Sequence, residues 1–407
     1  MVRSKNLSFL AKKERLSCLV ISLFPVHNEG NDMKSKAKVK VIGVLTSGGD
    51  CPGLNAAIRG VAKAAFHYDL KVIGIMDGFR GLVENRTTPL DGRTVSGILT
   101  QGGTLLGTSR EKPHKMFMGD KLMDMTEVAV SNLKKMQIDC LVCLGGNGTQ
   151  KNALHLLEAG GVNIVSLPKT IDNDIVETDI SFGFDTALSI ATEAIDRLHT
   201  TATSHHRIIV CEIMGHSAGW LTLGSGIAGG ADVILIPEIP YNLDVVAEHI
   251  EKRRSANKRF SIVAVAEGAV SQAEIKEAEK KKNKKKSSIL ENADGIHLIQ
   301  EPMASRIARE LQQRTGIDAR VTSLGHVQRG GSPSATDRLL CTQLGTKAIQ
   351  LIMEGVMNVM VAVKGNKCVP VSLKKVAGFT KRVPSNHEWV EYARLVDTCL
   401  GDRLPGV

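Results

Sequence analysis

Short apolar runs alternate along this chain with longer stretches whose apolar positions recur every three or four residues. Runs of the first kind cover 39–45, 72–76, 141–144, 163–167, 208–213, 231–236 and 261–266, the length of buried strands. Helical spacing marks 56–68, 152–158, 184–203 and 304–311. In 184–203 the apolar stripe is Ala187, Ile190, Ala191, Ala194, Ile195 and Leu198. Beyond Asp337 the chain keeps helical and strand patterns. Strands alternating with helices predict an α/β fold of mostly parallel sheets covered on both faces. In such folds ligands bind beyond the carboxyl ends of the strands.

The turns at those ends hold the candidate chemistry. The first apolar run opens into 46–55, with Gly48 and Gly49, and the second into a turn over 77–82. A glycine cluster over 102–107 ends in Thr108, Ser109 and Arg110, an arrangement suited to clamping a phosphate. The run 141–144 ends in Gly145, Gly146, Asn147, Gly148 and Thr149, a bare backbone that can lie against phosphates, with a helix start behind it. The run 163–167 ends in Pro168, Lys169, Thr170, Ile171, Asp172, Asn173 and Asp174. Two carboxylates, a hydroxyl, an amide and an ammonium supply the base, metal ligands and cation of phosphoryl transfer. Arg320, His326 and Arg329 lie within ten residues and precede Gly330 and Gly331, which suits a phosphate dianion.

Composition changes this picture little. A chain of 407 residues has room for two or three domains. The net charge of +10 would suit nucleic acid, but +6 of it lies in residues 1–40 and +4 in 274–286. With 3% aromatic residues, stacking platforms for bases are scarce, so nucleic-acid binding is set aside. The lysine run at 280–286 reads as an exposed insertion. Residues 1–37 are basic and then apolar over 16–26, too short to cross a bilayer and without a small-residue cleavage site. They read as a disordered extension, and Met33 is an alternative start. The eight cysteines are scattered, as in a reducing cytoplasm. Cys140 and Cys143 have zinc-knuckle spacing but sit in an apolar strand with no second pair, so core packing is expected. The neighbours His205 and His206 are not expected to share a metal.

The segments Gly145–Thr149 and Pro168–Asp174, taken together, resemble the 6-phosphofructokinase family, and the likeness runs from about Val39 to about Gly345. The resemblance implies two doubly wound domains with the active site in the cleft between them. The expected division is a donor domain over 38–182 and a sugar-phosphate domain over 183–407, whose last stretch returns to the first. It implies transfer of the terminal phosphoryl group of ATP, with Mg²⁺, to the 1-hydroxyl of fructose 6-phosphate. The enzyme would be a cytoplasmic, glycolytic homo-oligomer, a dimer or tetramer. By position, Asp172 would be the general base, with Thr170 orienting the transferring group. Gly49, Arg110, Glu111, Gly146, Asn147, Gly148 and Thr149 match nucleotide contacts. Thr170, Ile171, Asp172, Met214, Gly215, His216, Glu267, Arg320, His326, Val327, Gln328 and Arg329 match acceptor contacts, and Arg207 matches an arginine that reaches in from a neighbouring subunit.

The sequence also departs from the family's pattern. Asn147 stands where an aspartate associated with Mg²⁺ is common, so Asp174 is expected to carry more of the metal. His216 replaces a frequent Arg. Gly148 leaves room for ATP, whereas Lys169 is typical of pyrophosphate-dependent members. Steric exclusion at Gly148 outweighs one cation, so ATP is the expected donor and pyrophosphate the alternative. Arg59 and Lys63 resemble effector-phosphate positions, but Gln101 replaces an expected Arg. A catalytically impaired regulatory relative, a lipid or NAD kinase and a nucleotide sensor are the rival readings. A dehydrogenase is disfavoured, because neither glycine turn has dinucleotide spacing.

Overall fold

The computed structural model describes residues 39–277 and 301–406. The extension at 1–37 and the lysine run at 280–286 lie outside the described residues. Two sheets carry the fold. The larger has seven strands in the order β13-β12-β7-β6-β1-β2-β3. They are β1 (Val41–Ser47), β2 (Lys71–Ile75), β3 (Thr87–Leu90), β6 (Cys140–Gly145), β7 (Ile164–Pro168), β12 (Val359–Lys364) and β13 (Lys367–Ser372). Its inner five strands are parallel, and the edge strands β3 and β13 pair antiparallel. The smaller sheet is parallel throughout, in the order β11-β8-β10-β9. Its strands are β8 (Ile208–Ile213), β9 (Val233–Leu235), β10 (Ser261–Ala266) and β11 (Ala319–Ser323). A hairpin, β4 (Met116–Met118) and β5 (Lys121–Met123), stands apart.

The predicted α/β class, with mostly parallel strands, is what the chain adopts. Every residue of β6, β7 and β10 is buried, because helices cover both faces. The two faces separate cleanly. Val142 and Leu144 join one core cluster, while Leu141 and Cys143 join the other. Cys140 and Cys143 therefore fall on opposite sides of the sheet and pack as core residues. His205 and His206 are exposed at the end of α5 (Phe184–His205).

Two local expectations change. The stretch 77–82 is not a plain turn but α2 (Gly78–Val83), entered through Asp77 at φ +52° and held by buried Phe79, Leu82 and Val83. Helix α4 starts at Asn147, not near 152, and runs to Gly160. Its first turn is polar and holds Gly148, so apolar spacing could not reveal it. The hairpin and the helices Trp220–Ala228 and Leu243–Ser255 were not anticipated by the pattern. Among the described residues no helix is long and apolar enough to cross a membrane.

Helix α1 (Leu54–His67) and the helix Ala335–Met353 cross at two glycines, Gly60 and Gly345. A Cβ on Gly345 would stand 2.6 Å from the Val61 backbone nitrogen and 2.8 Å from the Gly60 carbonyl carbon. These are backbone atoms, so no rotamer change relieves the clash, and the helices must separate. Gly345→Leu should therefore cost about 1–3 kcal/mol or more, seen as a lower midpoint in thermal or urea unfolding.

Candidate active site

The order of strands in the large sheet places the site. From β1 the chain moves to β2 on one side, and from β6 to β7 on the other. The loops leaving β1 and β6 thus diverge and open a crevice at adjacent carboxyl ends. Ser47 ends β1, Gly48 and Gly49 follow it, and Gly146–Thr149 follow β6. Both loops are fixed from below. The Gly48 N–H donates to the Ser109 carbonyl (2.8 Å) and the Thr108 hydroxyl to the Gly48 carbonyl (2.7 Å). Asn55 holds the glycine cluster by accepting from the Leu105 N–H (2.8 Å) and donating to the Gly102 carbonyl (3.1 Å). Beneath Gly145, Gln150 donates to its carbonyl (3.1 Å) and accepts from Ser166 (2.6 Å). No side chain caps α4 at Gly146, so its first N–H groups remain suited to an anion.

A cleft of about 680 Å³ joins these loops to the carboxyl ends of the small sheet. Gly49, Arg110, Gly146, Asn147, Gly148 and Thr149 line it, with Lys169, Thr170, Asp172 and Asp174 after β7. From the small sheet come Met214 and His216 after β8, Glu267 after β10, and His326 and Arg329 after β11. The Glu267 carboxylate accepts from the backbone N–H groups of His216 (2.8 Å) and Gly215 (3.4 Å), which sets the loop after β8. Arg329 crosses to the opposite side and donates to the Asp50 carbonyl (3.1 Å). Lys169, almost fully buried, donates to the Gly49 carbonyl. A Cβ on Gly148 would meet no atom within 4 Å, so any side chain there would enter the cleft.

Asp172 and Asp174 share the centre. The Asp172 N–H donates to the Thr170 hydroxyl (3.0 Å), while Asp172 Oδ1 is buried with no hydrogen-bond partner among the described residues. Burial, and then the Asp174 carboxylate, push the Asp172 pKa up to about 6; Arg329 pulls the other way. Burial also raises Asp174, against the hydrogen bond from Asn147. Asn147 donates to Asp174 Oδ2 (2.8 Å), and its own Oδ1 is buried and unpartnered among the described residues.

Several sequence candidates lie elsewhere. Arg207 precedes β8 and Arg320 sits in the first half of β11, at the amino ends of their strands. At about 3.3 Å per residue, seven residues put Arg207 roughly 20 Å from Met214. Both arginines pair with Asp318, Arg207 at 2.6 Å. Glu111 pairs with Arg80 at 2.9 Å. Ile171 and Gln328 are buried, Val327 is exposed, and Gly215 serves the cleft only through its backbone. The cleft also holds Gly48 of the first glycine turn, and Ser47, Lys112, Asn152, Ser217 and Thr380, which were not singled out. All but Thr380 adjoin recognised motifs; Thr380 arrives from after β13 and has no local signal.

Glycine loops, paired carboxylates and cations at the carboxyl ends of the parallel strands of two sheets define a phosphate-handling α/β site. The phosphofructokinase family model matches residues 41–352. The chain is 53% identical to the ATP-dependent 6-phosphofructokinase of Propionibacterium freudenreichii over 89% of this chain and 99% of that one. It is 52% identical to the ATP-dependent 6-phosphofructokinase of Spirochaeta thermophila over 89% and 98%. The crystal structure of Pichia pastoris phosphofructokinase in the T-state superposes with a TM-score of 0.71 at 33% identity, over 84% of this chain and 35% of the yeast one. This chain therefore spans about a third of that yeast chain's length. It belongs to the phosphofructokinase family.

The charge arrangement is testable on the ligand-free protein. Titrated by carboxyl NMR, Asp172 should show a midpoint near 6. Asp174→Asn removes the neighbouring negative charge and should move that midpoint down toward the ordinary carboxylate range.

Proposed function

We propose that this chain is a glycolytic phosphotransferase that moves the terminal phosphoryl group of ATP to the 1-hydroxyl of fructose 6-phosphate. The observation that carries the reading is the shared cleft, where Asp172 stands among donor-side loops and acceptor-side residues. The sugar oxygen attacks the terminal phosphorus as its proton passes to Asp172. The bond from phosphorus to the bridging oxygen breaks, and ADP leaves with the electron pair. A pKa of about 6 leaves Asp172 mostly ionised at neutral pH, yet basic enough to take a proton. Thr170 orients the transferring group. Arg110 and the loops after β1 and β6 hold the donor, while Met214, His216, Glu267, His326 and Arg329 hold the acceptor. Positioning and charge neutralisation supply most of such catalysis.

Mg²⁺ fits the oxygen set. The unpartnered Asn147 Oδ1 and the Asp174 carboxylate lie side by side, and hard cations take oxygen ligands. These two residues would hold the ion, which would neutralise the polyphosphate. Arg207 and Arg320, too far from their own cleft, complete the acceptor phosphate site of a second copy in a dimer or tetramer. The seven unpaired cysteines among the described residues fit a reducing cytoplasm.

A coupled assay with fructose 6-phosphate tests the reading. ATP should exceed pyrophosphate in kcat/KM, because the space above Gly148 admits a nucleoside and Lys169 is already engaged with the Gly49 carbonyl. Asp172→Ser should lower turnover by about a hundredfold or more. Near-normal turnover in that variant would remove Asp172 from its role.

Asn147 favours a second reading, a regulatory relative with weakened metal binding. Activity against Mg²⁺ separates the two. If the chain is an enzyme, it turns over, and Asn147→Asp lowers the Mg²⁺ needed for half-maximal rate on the order of tenfold. A native chain silent at every Mg²⁺ concentration would establish the regulatory reading.

A further inference from the structure

The cleft's central loop is held from outside by a segment that reaches it from the far end of the chain. After β13 and the short helix Leu373–Val376, the chain passes along the loop Asp172–Asp174 and then the start of the helix Trp220–Ala228. Lys381 makes the contacts to both. Its N–H donates to the Asp174 carbonyl (2.7 Å), and its own carbonyl accepts from Trp220 Nε1 (3.1 Å). Its ammonium donates to Asn173 Oδ1 (3.1 Å), the Thr178 carbonyl (2.9 Å) and the Asp179 carbonyl (3.0 Å). Three oxygens meet the three N–H bonds of an ammonium, the full complement for that group. The same nitrogen stands 5.5 Å from the Trp220 ring centre, over the face of the indole.

The neighbours give this cage its meaning. Asn173 separates the two carboxylates and sits at φ +49°, a left-handed conformation in a position where no glycine relieves it. Such a residue keeps its conformation only when its surroundings over-determine it. Asn173 Oδ1 accepts from the Ser181 N–H (3.1 Å) as well as from Lys381. Two residues along the strap, the Val383 N–H donates to Glu238 (3.0 Å), whose carboxylate also accepts from the Gly219 N–H (3.0 Å) at the end of the acceptor loop. One short segment therefore joins the carboxylate loop of the large sheet to the acceptor loop of the small one.

We propose that Lys381 is a positioning residue for phosphoryl transfer: a tethered cation in an oxygen cage that fixes the Asn173 turn, and with it the aim of Asp172 and Asp174. It touches neither substrate. It acts through a loop in which a displacement of about 1 Å can cost on the order of a hundredfold in rate. The proposal rests on the role given to Asp172 above.

The test uses the full chain. Lys381→Met keeps the stem and removes the charge, leaving the backbone contacts in place. It should lower kcat about tenfold or more while KM for both substrates stays within about twofold, as expected when only transition-state alignment is lost. Combined with Asp172→Asn, the Met substitution should add less than about twofold, because residues that act through one group are non-additive. A merely structural lysine would add its full cost in both backgrounds. Turnover within twofold of the native chain, a loss confined to KM, or full additivity would each overturn the proposal. If the Met variant does not fold, Lys381→Gln carries the same comparison with a polar, uncharged end. Asp172→Asn alone keeps the readings apart. Should it retain turnover, the base assignment fails; should it lose turnover while Lys381 variants do not, only the positioning role fails.

Discussion

Two parallel strands lying side by side, β1 and β6, send the chain away in opposite directions, and the site depends on this divergence. Neither loop is covered by the other's connection, so bare backbone reaches the crevice from both sides. The small sheet obeys the same rule, since its contributing loops follow β8, β10 and β11 at their carboxyl ends. A sugar and a polyphosphate can therefore face one another across a single cleft without any one loop spanning it. The rule also explains why Arg207 and Arg320 are excluded, because they stand at the amino ends of the strands that supply Met214 and His326.

Within the crevice, electrostatics are balanced rather than uniform. Three carboxylates, Asp172, Asp174 and Glu267, sit among cations drawn from three segments: Arg110 and Lys112, Lys169, and Arg329. Burial raises Asp172, and Asp174 raises it further, while Arg329 and His216 oppose the shift. A base far below neutrality would be a poor proton acceptor, and one far above it would be protonated before the reaction. In the mechanism proposed above, the same cations would hold Asp172 near the range a base needs.

Much of this was legible in the chain. The strand pattern 208–213 coincides with β8 and 261–266 with β10, because each is apolar at all but one position and is bounded by a charged residue at one end, Arg207 before β8 and Glu267 after β10. The glycine and carboxylate motifs named most residues that line the cleft. What stayed hidden has a common cause: it is fixed by contacts between distant segments. Asn147 heads a helix through its backbone, which apolar spacing does not register. Glu111, one residue from Arg110, turns away to Arg80 because that guanidinium lies beside it. Lys381 and Thr380 sit some two hundred positions from the loop they meet, and neither Gly378 nor the adjacent Lys381 and Arg382 forms a motif that marks them.

The amide at position 147 gains a rationale from the same contacts. Asn147 donates to both the carboxylate and the backbone carbonyl of Asp174 (2.8 and 3.2 Å). An ionised aspartate could donate to neither and would set a third negative charge beside Asp172 and Asp174, raising both pKa values. In the absence of metal the neutral amide therefore keeps Asp174 in place and pulls its pKa down against the burial that raises it. In the metal-binding role proposed above, the consequence would be a cation site with one carboxylate fewer, and a weaker hold on a hard ion. An ion arriving on a polyphosphate brings phosphate oxygens of its own, so the protein need not supply a full ligand shell. In that role position 147 would exchange intrinsic metal affinity for a metal-free cleft already in register, as suits a donor that carries its cation with it.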